Sequence, residues 1–193
     1  MAMPMEIPER PEYLDSPERE GWVEADLDRL PDDGNRYELI DGSLHVTPPP
    51  TDLHNEIGDD LRAVLKAAAP PGWRVIHELG VRVPAGNLIP DLVGLRPEAE
   101  RDVHWREAKD VALAVEIESR SSRRNDRRTK PELYAEAGIP AYWRVERNQE
   151  GPHLHAYELA DGEYVQVAWV RPGVAWRATS PFPVLLEPGT WAS

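Results

Sequence analysis

Residues 111–119 read VALAVEIES, and this run restricts the fold more than any other stretch. Short, continuous apolar runs rich in Val, Ala, Leu and Ile belong to strands buried on both faces. A buried strand should stay apolar to its end, yet this one closes on Glu116 and Glu118. Strand side chains alternate, so these two carboxylates point to one face and Ile117 to the other. A basic cluster follows at once: Arg120, Arg123, Arg124, Arg127, Arg128 and Lys130, offset only by Asp126. Carboxylates at a strand end, beside concentrated positive charge, point to a site that holds a metal and handles phosphate.

The surrounding chain reads as one α/β domain over residues 21–193, with more strands than helices. Residues 1–20 are Pro- and Glu-rich without periodicity and are expected to form a flexible tail. Trp22–Leu30 suits a short helix. Two pairs of apolar arms flank Asp-Gly dipeptides, at Asp41-Gly42 and at Asp161-Gly162, and each predicts a hairpin with a type I′ turn. Thr51 or Asp52 can cap a helix running to about Ala69, with Leu53, Ile57, Leu61, Val64, Leu65 and Ala68 at helical spacing. Trp73–Val83 reads as one strand, Gly86-Asn87 as a turn, and Leu88–Leu95 as a strand interrupted by Pro90-Asp91. Residues 96–109 read as a charged loop, and Ala141–Glu146 as a further strand.

A helix lies within 122–137, and its start is ambiguous. Thr129 with Glu132 fits a capping box that places Pro131 at the first helical position. A start at Ser121 or Ser122 makes Pro131 a kink instead.

Net charge narrows the function. The chain carries a formal charge of −13 and only three lysines: Lys66, Lys109 and Lys130. That balance disfavours broad, nonspecific nucleic-acid binding, so any phosphate-binding surface must be local. Cysteine is absent, which excludes disulfides, thiolate metal sites and a cysteine nucleophile. Apolar runs fall short of the about 18 residues needed to span a bilayer, so no membrane partner and a cytoplasmic location are expected.

Asp91 and Glu116 fall on successive predicted strands, and neighbouring strands lie about 4.8 Å apart. Carboxylates so placed can share one hard cation, and Mg²⁺ or Mn²⁺ suits the set. Each acid also has a plainer reading. Glu116 can close its strand on an arginine, Asp91 can cap a bulge, and Glu38 can pair across its hairpin. Lys130 can be a solvated helix residue. Asp126 is expected to pair with a neighbouring arginine, His54 to cap or border the core, and Tyr134, Tyr142 and Trp143 to belong to the core.

The segments RYELIDGSLHVTPPP, HNEIGDDL, GVRVPAGNLIPDLVGLRPE, ALAVEIESRSSRRNDRRTKPELYAEAGIPAYWRV and AYELADGEYV occur in that order over roughly residues 36–168. They resemble the Uma2 (DUF820) family of the PD-(D/E)XK restriction-endonuclease-like superfamily. The resemblance implies a restriction-endonuclease-like core, a central mixed β-sheet flanked by helices, with N- and C-terminal hairpins. It implies Asp91, Glu116 and Glu38 as metal-binding catalytic acids and a Mg²⁺-dependent endonuclease acting on DNA. The superfamily places a lysine two residues after the second acid, where this chain has Glu118. The family's lysine lies in the following helix, and Lys130 matches that place.

Glu118 is then a possible extra ligand, or a carboxylate that repels phosphate. Glu118→Lys is expected to be tolerated, and Lys130→Ala to spare the fold. Arg120, Arg123, Arg124, Arg127 and Arg128 are the candidate DNA contacts. Tyr164, Val167 and Trp169 in the last hairpin make a homodimer surface. The competing reading is a non-catalytic module that keeps the fold and binds nucleic acid or protein through its arginines.

Overall fold

The computed structural model describes residues 21–192. The tail expected at residues 1–20 lies outside them.

The elements run in chain order. A short helix α1 (Glu24–Leu27) leads into the hairpin β1 (Arg36–Ile40) and β2 (Ser43–Thr47), followed by the long helix α2 (Asp52–Ala68). Then come β3 (Arg74–His77), β4 (Gly80–Val83), β5 (Gly86–Leu88), β6 (Leu92–Leu95) and β7 (Trp105–Glu107). The central strand β8 (Val111–Ile117) precedes the helix α3 (Lys130–Glu136) and β9 (Ala141–Asn148). The chain closes with β10 (Gly151–Ala160), β11 (Glu163–Val170), β12 (Trp176–Ala178) and β13 (Val184–Leu186). Among the described residues, no helix is long and apolar enough to cross a membrane.

Two larger sheets result, in the orders β2-β1-β5-β4-β7 and β11-β10-β9-β8-β6-β3, with β12 and β13 pairing separately. Both are mixed: β8 runs parallel to β9 and antiparallel to β6, and β4 runs parallel to β7. This is the mixed α/β architecture expected from the sequence.

Alternation along β8 sets the layers. Leu113, Val115 and Ile117 join the core that includes Ile57, Leu61 and Leu65 of α2. Ala114 faces the other way, into the core with Leu133 and Tyr134 of α3. Glu116 shares that second face, so its partners come from α3. In α2 the expected stripe is buried at Ile57, Leu61 and Leu65, whereas Leu53 is exposed.

Both Asp-Gly hairpins form. Asp41 and Gly42 have φ of 48° and 70°, and Asp161 and Gly162 have 51° and 85°. Positive φ at both central positions is the type I′ signature.

Three expectations need correction. The single strand over Trp73–Val83 is two strands in different sheets, split at Glu78, where φ is 47°. The turn falls at Pro84-Ala85, and Gly86-Asn87 belongs to β5. Gly86 faces the backbone of β1, because a Cβ there would sit 2.0 Å from the Leu39 carbonyl oxygen. The charged loop 96–109 also contains β7, which pairs with β4.

The ambiguous helix resolves into a third form. The chain is helical from about residue 123, with a π-turn over Asn125–Thr129 running into α3. The Lys130 amide reaches back to the Asn125 carbonyl, five residues away. Proline lacks an amide hydrogen and its ring crowds the carbonyl four residues back, so a wider turn accommodates Pro131 without ending the helix.

Candidate active site

The chain passes from one sheet to the other at Ile89–Asp91, between β5 and β6, and the candidate site forms at that seam. Leu92 pairs with Val115, and β6 is antiparallel to β8, so Asp91 comes level with the end of β8, where Glu116 stands. The Ile117 amide donates to Asp91 Oδ2 at 2.6 Å. Glu38 arrives from β1 of the other sheet and accepts from the Ile89 amide at 2.7 Å. All three acids are buried.

Lys130 joins them from the first turn of α3. Its Nζ lies 2.9 Å from Glu38 Oε1 and 3.0 Å from Glu116 Oε1. The Tyr134 hydroxyl, one turn further on, donates to the same Glu116 oxygen at 2.7 Å. Both donors meet Oε1, so neither of these bonds occupies the second oxygen of Glu116.

Asp91 has its own cations. Arg36 donates to Oδ1 at 2.7 Å, and His54 Nε2 stands 3.2 Å from that atom. Burial opposes the charge on Asp91. The His54 contact, the Arg36 guanidinium and the Ile117 amide outweigh it and hold the carboxyl well below the usual range. Glu116 goes the other way. Burial, with Asp126, Asp91 and Glu38 nearby, outweighs Lys130 and pushes its carboxyl well above the usual range. Burial works against the Lys130 ammonium, yet the four surrounding carboxylates hold it charged.

Arg36, Glu38, His54, Asp91, Glu116 and Lys130 line one cleft of about 440 Å³. Its rim includes Pro48, Pro49 and Pro50, the serines at 119, 121 and 122, and Arg120 and Arg147.

A hard divalent cation fits this cleft by donor type, since Asp91 and Glu116 bring carboxylate oxygens to its lining. Glu38, Asp91, Glu116 and Asp126 all act on Lys130, while Arg36 bonds Asp91. Mg²⁺ is commonly held through one or two carboxylates, with water and phosphate completing the shell.

The three acids expected as ligands meet at one cleft without forming a ready-made three-carboxylate shell. Among the described residues, no three His, Cys, Asp or Glu side chains are grouped to hold a metal. Lys130 stands between Glu38 and Glu116, which makes Glu38 a lysine partner. Asp91 and Glu116 remain as the candidate ligand pair.

Glu118 is also corrected. It does not line the cleft; it is buried against β9 as the hub of an arginine knot. Arg127 grips both its oxygens at 2.6 and 2.9 Å, Arg144 bonds Oε1, and Arg123 lies 3.5 Å from Oε2. Arg127 also reaches Glu146 at 3.1 Å. Of the five candidate DNA-contacting arginines, Arg123 and Arg127 are therefore tied to Glu118. Arg120 lines the cleft, and Arg124 and Arg128 are exposed. Asp126 makes no arginine pair either: its side chain is buried, and neither carboxyl oxygen has a hydrogen-bond partner.

Sequence reading missed Arg36, and it took His54 for a cap or a border of the core and Tyr134 for core alone. The signal for Arg36 was present: it stands two residues before Glu38 on one strand, and therefore on the same face.

The family model Uma2, described as "putative restriction endonuclease", matches residues 24–189. Among solved structures, the chain is similar to a crystal structure titled "a putative nuclease belonging to DUF820" from Anabaena variabilis ATCC 29413. The TM-score is 0.66 at 16% identity, covering 81% of this chain and 88% of that one. At that identity the likeness shows the fold alone. No curated protein matches the chain.

Proposed function

The chain belongs to the Uma2 family, and from that premise we propose that it is a Mg²⁺- or Mn²⁺-dependent endonuclease that hydrolyses phosphodiester bonds in DNA. The observation that carries the reading is the pairing of Asp91 and Glu116 at the seam of two sheets, with Lys130 bonded to Glu116 inside the same cleft. In this reading Asp91 and Glu116 hold the cation. Such an ion, when bound, supplies an activated water and neutralises charge on the phosphate.

The protein's own groups do the rest. Arg36 and His54 hold Asp91 ionised and oriented. Glu38 and Tyr134 fix Lys130 and Glu116 in one arrangement before substrate arrives. Lys130 presents a fixed positive charge where negative charge grows on the scissile phosphate. Arg120 and Arg147 line the cleft for the flanking phosphates, and the exposed Arg124 and Arg128 extend the contact along the strand.

Calorimetric titration with Mg²⁺ and Mn²⁺ tests the ligand pair. Wild type should give saturable binding, which Asp91→Asn should abolish while the circular dichroism spectrum stays native. A wild-type protein that takes up neither ion at millimolar concentration removes the metal from the reading.

The same reading includes a homodimer through β11, the outermost strand of its sheet. Val165, Val167 and Trp169 stand exposed at alternate positions there. Tyr164 contributes less than expected, because it is partly buried and its hydroxyl donates to the Ile139 carbonyl. An uncovered apolar edge strand invites pairing with another copy. Light scattering at micromolar concentration should give the dimer mass; the monomer mass would refute the interface.

A further inference from the structure

Strand β2 forms a wall of the cleft that the proposed chemistry leaves unused. In its hairpin, Arg36 stands opposite Thr47 and Glu38 opposite His45. Residues directly opposite in an antiparallel pair share a face. Arg36 and Glu38 turn into the cleft to bond Asp91 and Lys130. Thr47 and His45 therefore turn the same way, and both line the cleft. Neither side chain makes a hydrogen bond or ion pair among the described residues. An imidazole N–H and a hydroxyl are both donors, and two positions apart on one strand they stand about 6.6–6.8 Å from each other.

The opposite wall is the turn after β8, where Ser119, Arg120, Ser122 and Asn125 line the cleft. Beyond β2, Pro48, Pro49 and Pro50 continue the first wall, and their locked φ angles keep it stiff. The floor is deep: Glu38, Asp91, Glu116 and Lys130 are between 2% and 5% exposed. A phosphate reaches these groups only by descending between the walls. Pockets of roughly 300–1,000 Å³ take a drug-sized molecule. A cleft of about 440 Å³ thus has room for a short piece of one strand and not for its complement. An unpaired strand can turn its bases aside and lower its backbone into the cleft, whereas a paired strand brings its partner with it. Charge points the same way. A duplex carries one negative charge per about 1.7 Å of axis and a single strand one per about 3.4 Å, so a chain of net charge −13 repels the duplex more strongly.

Resting on the nuclease reading, we propose that the cleft takes an unpaired DNA strand, with His45 and Thr47 as its phosphate contacts along β2. Lys130 meets the phosphate at the floor. His45 and Thr47 hold neighbouring phosphates of the same strand, and their spacing suits adjacent ones.

Fluorescence anisotropy of a labelled oligonucleotide, alone and annealed to its complement, tests the proposal. Divalent ions are chelated so that the DNA stays whole. Wild type should bind the single strand at least about tenfold more tightly than the duplex. His45→Ala and Thr47→Val should each weaken single-strand binding by about tenfold, the loss of roughly one hydrogen bond to a charged group, with a native circular dichroism spectrum. His45→Gln keeps an N–H donor and should recover part of that loss.

A duplex bound as tightly as the single strand, binding of neither, or variants that bind the single strand as wild type does would overturn the proposal, whatever a cleavage assay shows. Single-strand binding that depends on His45 and Thr47, in a protein that has bound Mg²⁺ and cuts no DNA, would uphold the strand channel and end the nuclease reading.

Discussion

Glu118→Lys should unfold the protein or lower its melting temperature by about 10 °C or more. The sequence pattern alone suggests the opposite, since it places a lysine at this position of the superfamily motif. Geometry decides the matter. The Glu118 side chain is 1% exposed and is the common anion for Arg123, Arg127 and Arg144. Arg147 also donates to its backbone carbonyl at 3.1 Å. Removing one partner of a buried ion pair costs about 3–5 kcal/mol. A lysine adds repulsion to that loss, with three guanidinium groups around it. At roughly 2–4 °C per kcal/mol for a chain of this size, the expected shift follows. Glu118→Gln keeps one of the two hydrogen-bond acceptor oxygens and introduces no positive charge, so it should cost less. Thermal unfolding followed by circular dichroism, with both variants beside wild type, checks the order. A Glu118→Lys protein as stable as wild type would show that the knot contributes nothing.

Lys130→Met should also destabilise the protein, by about 3 kcal/mol at neutral pH, the low end of the cost of stranding a buried charge. The expectation that this lysine can be removed with the fold intact came with reading it as a helix lysine that reaches a metal-bound phosphate. Lys130 is instead 3% exposed and bonded to two buried carboxylates. The low end applies because Glu116 is already held well above the usual carboxylate range and can take up a proton. The Ile89 amide also still serves Glu38. Urea unfolding measures the difference. A loss near zero would mean that the carboxylates need no cation, and that Lys130 is not their partner in solution.

What the sequence made legible follows from local rules. The Asp-Gly hairpins were readable because a type I′ turn needs two residues at positive φ, which those dipeptides supply. The buried strand ending in Glu116 was readable because an acid violates an otherwise apolar run. Asp91 stood out through its place on the strand successive to that of Glu116 and through the family resemblance, since an acid after Pro90 alone reads as a bulge cap.

The rest depended on contacts between distant segments. Glu78 splits one apparent strand into two at a φ of 47°, with no glycine to announce it. The π-turn that accommodates Pro131 satisfies both sequence readings of that helix in part, and neither implies a five-residue backbone bond. Glu116 and Glu118 do share a face, as alternation requires. Their separate fates depend on Lys130 and Tyr134 approaching one, and Arg127 and Arg144 the other. Arg36 shares a strand face with Glu38, but its bond to Asp91 spans 55 positions and no local rule reports it.

Hydrolysis of plasmid and single-stranded DNA by wild type and Lys130→Met, with Mg²⁺ present and then chelated, tests the account most directly. Both proteins are compared below their melting temperatures. Wild type should cleave only when Mg²⁺ is available. Lys130→Met should cleave about 10²–10³-fold more slowly, the typical cost of removing one fixed charge aimed at a transition state. Cleavage by Lys130→Met at the wild-type rate, or the absence of cleavage by a wild-type protein that has bound Mg²⁺, would contradict it.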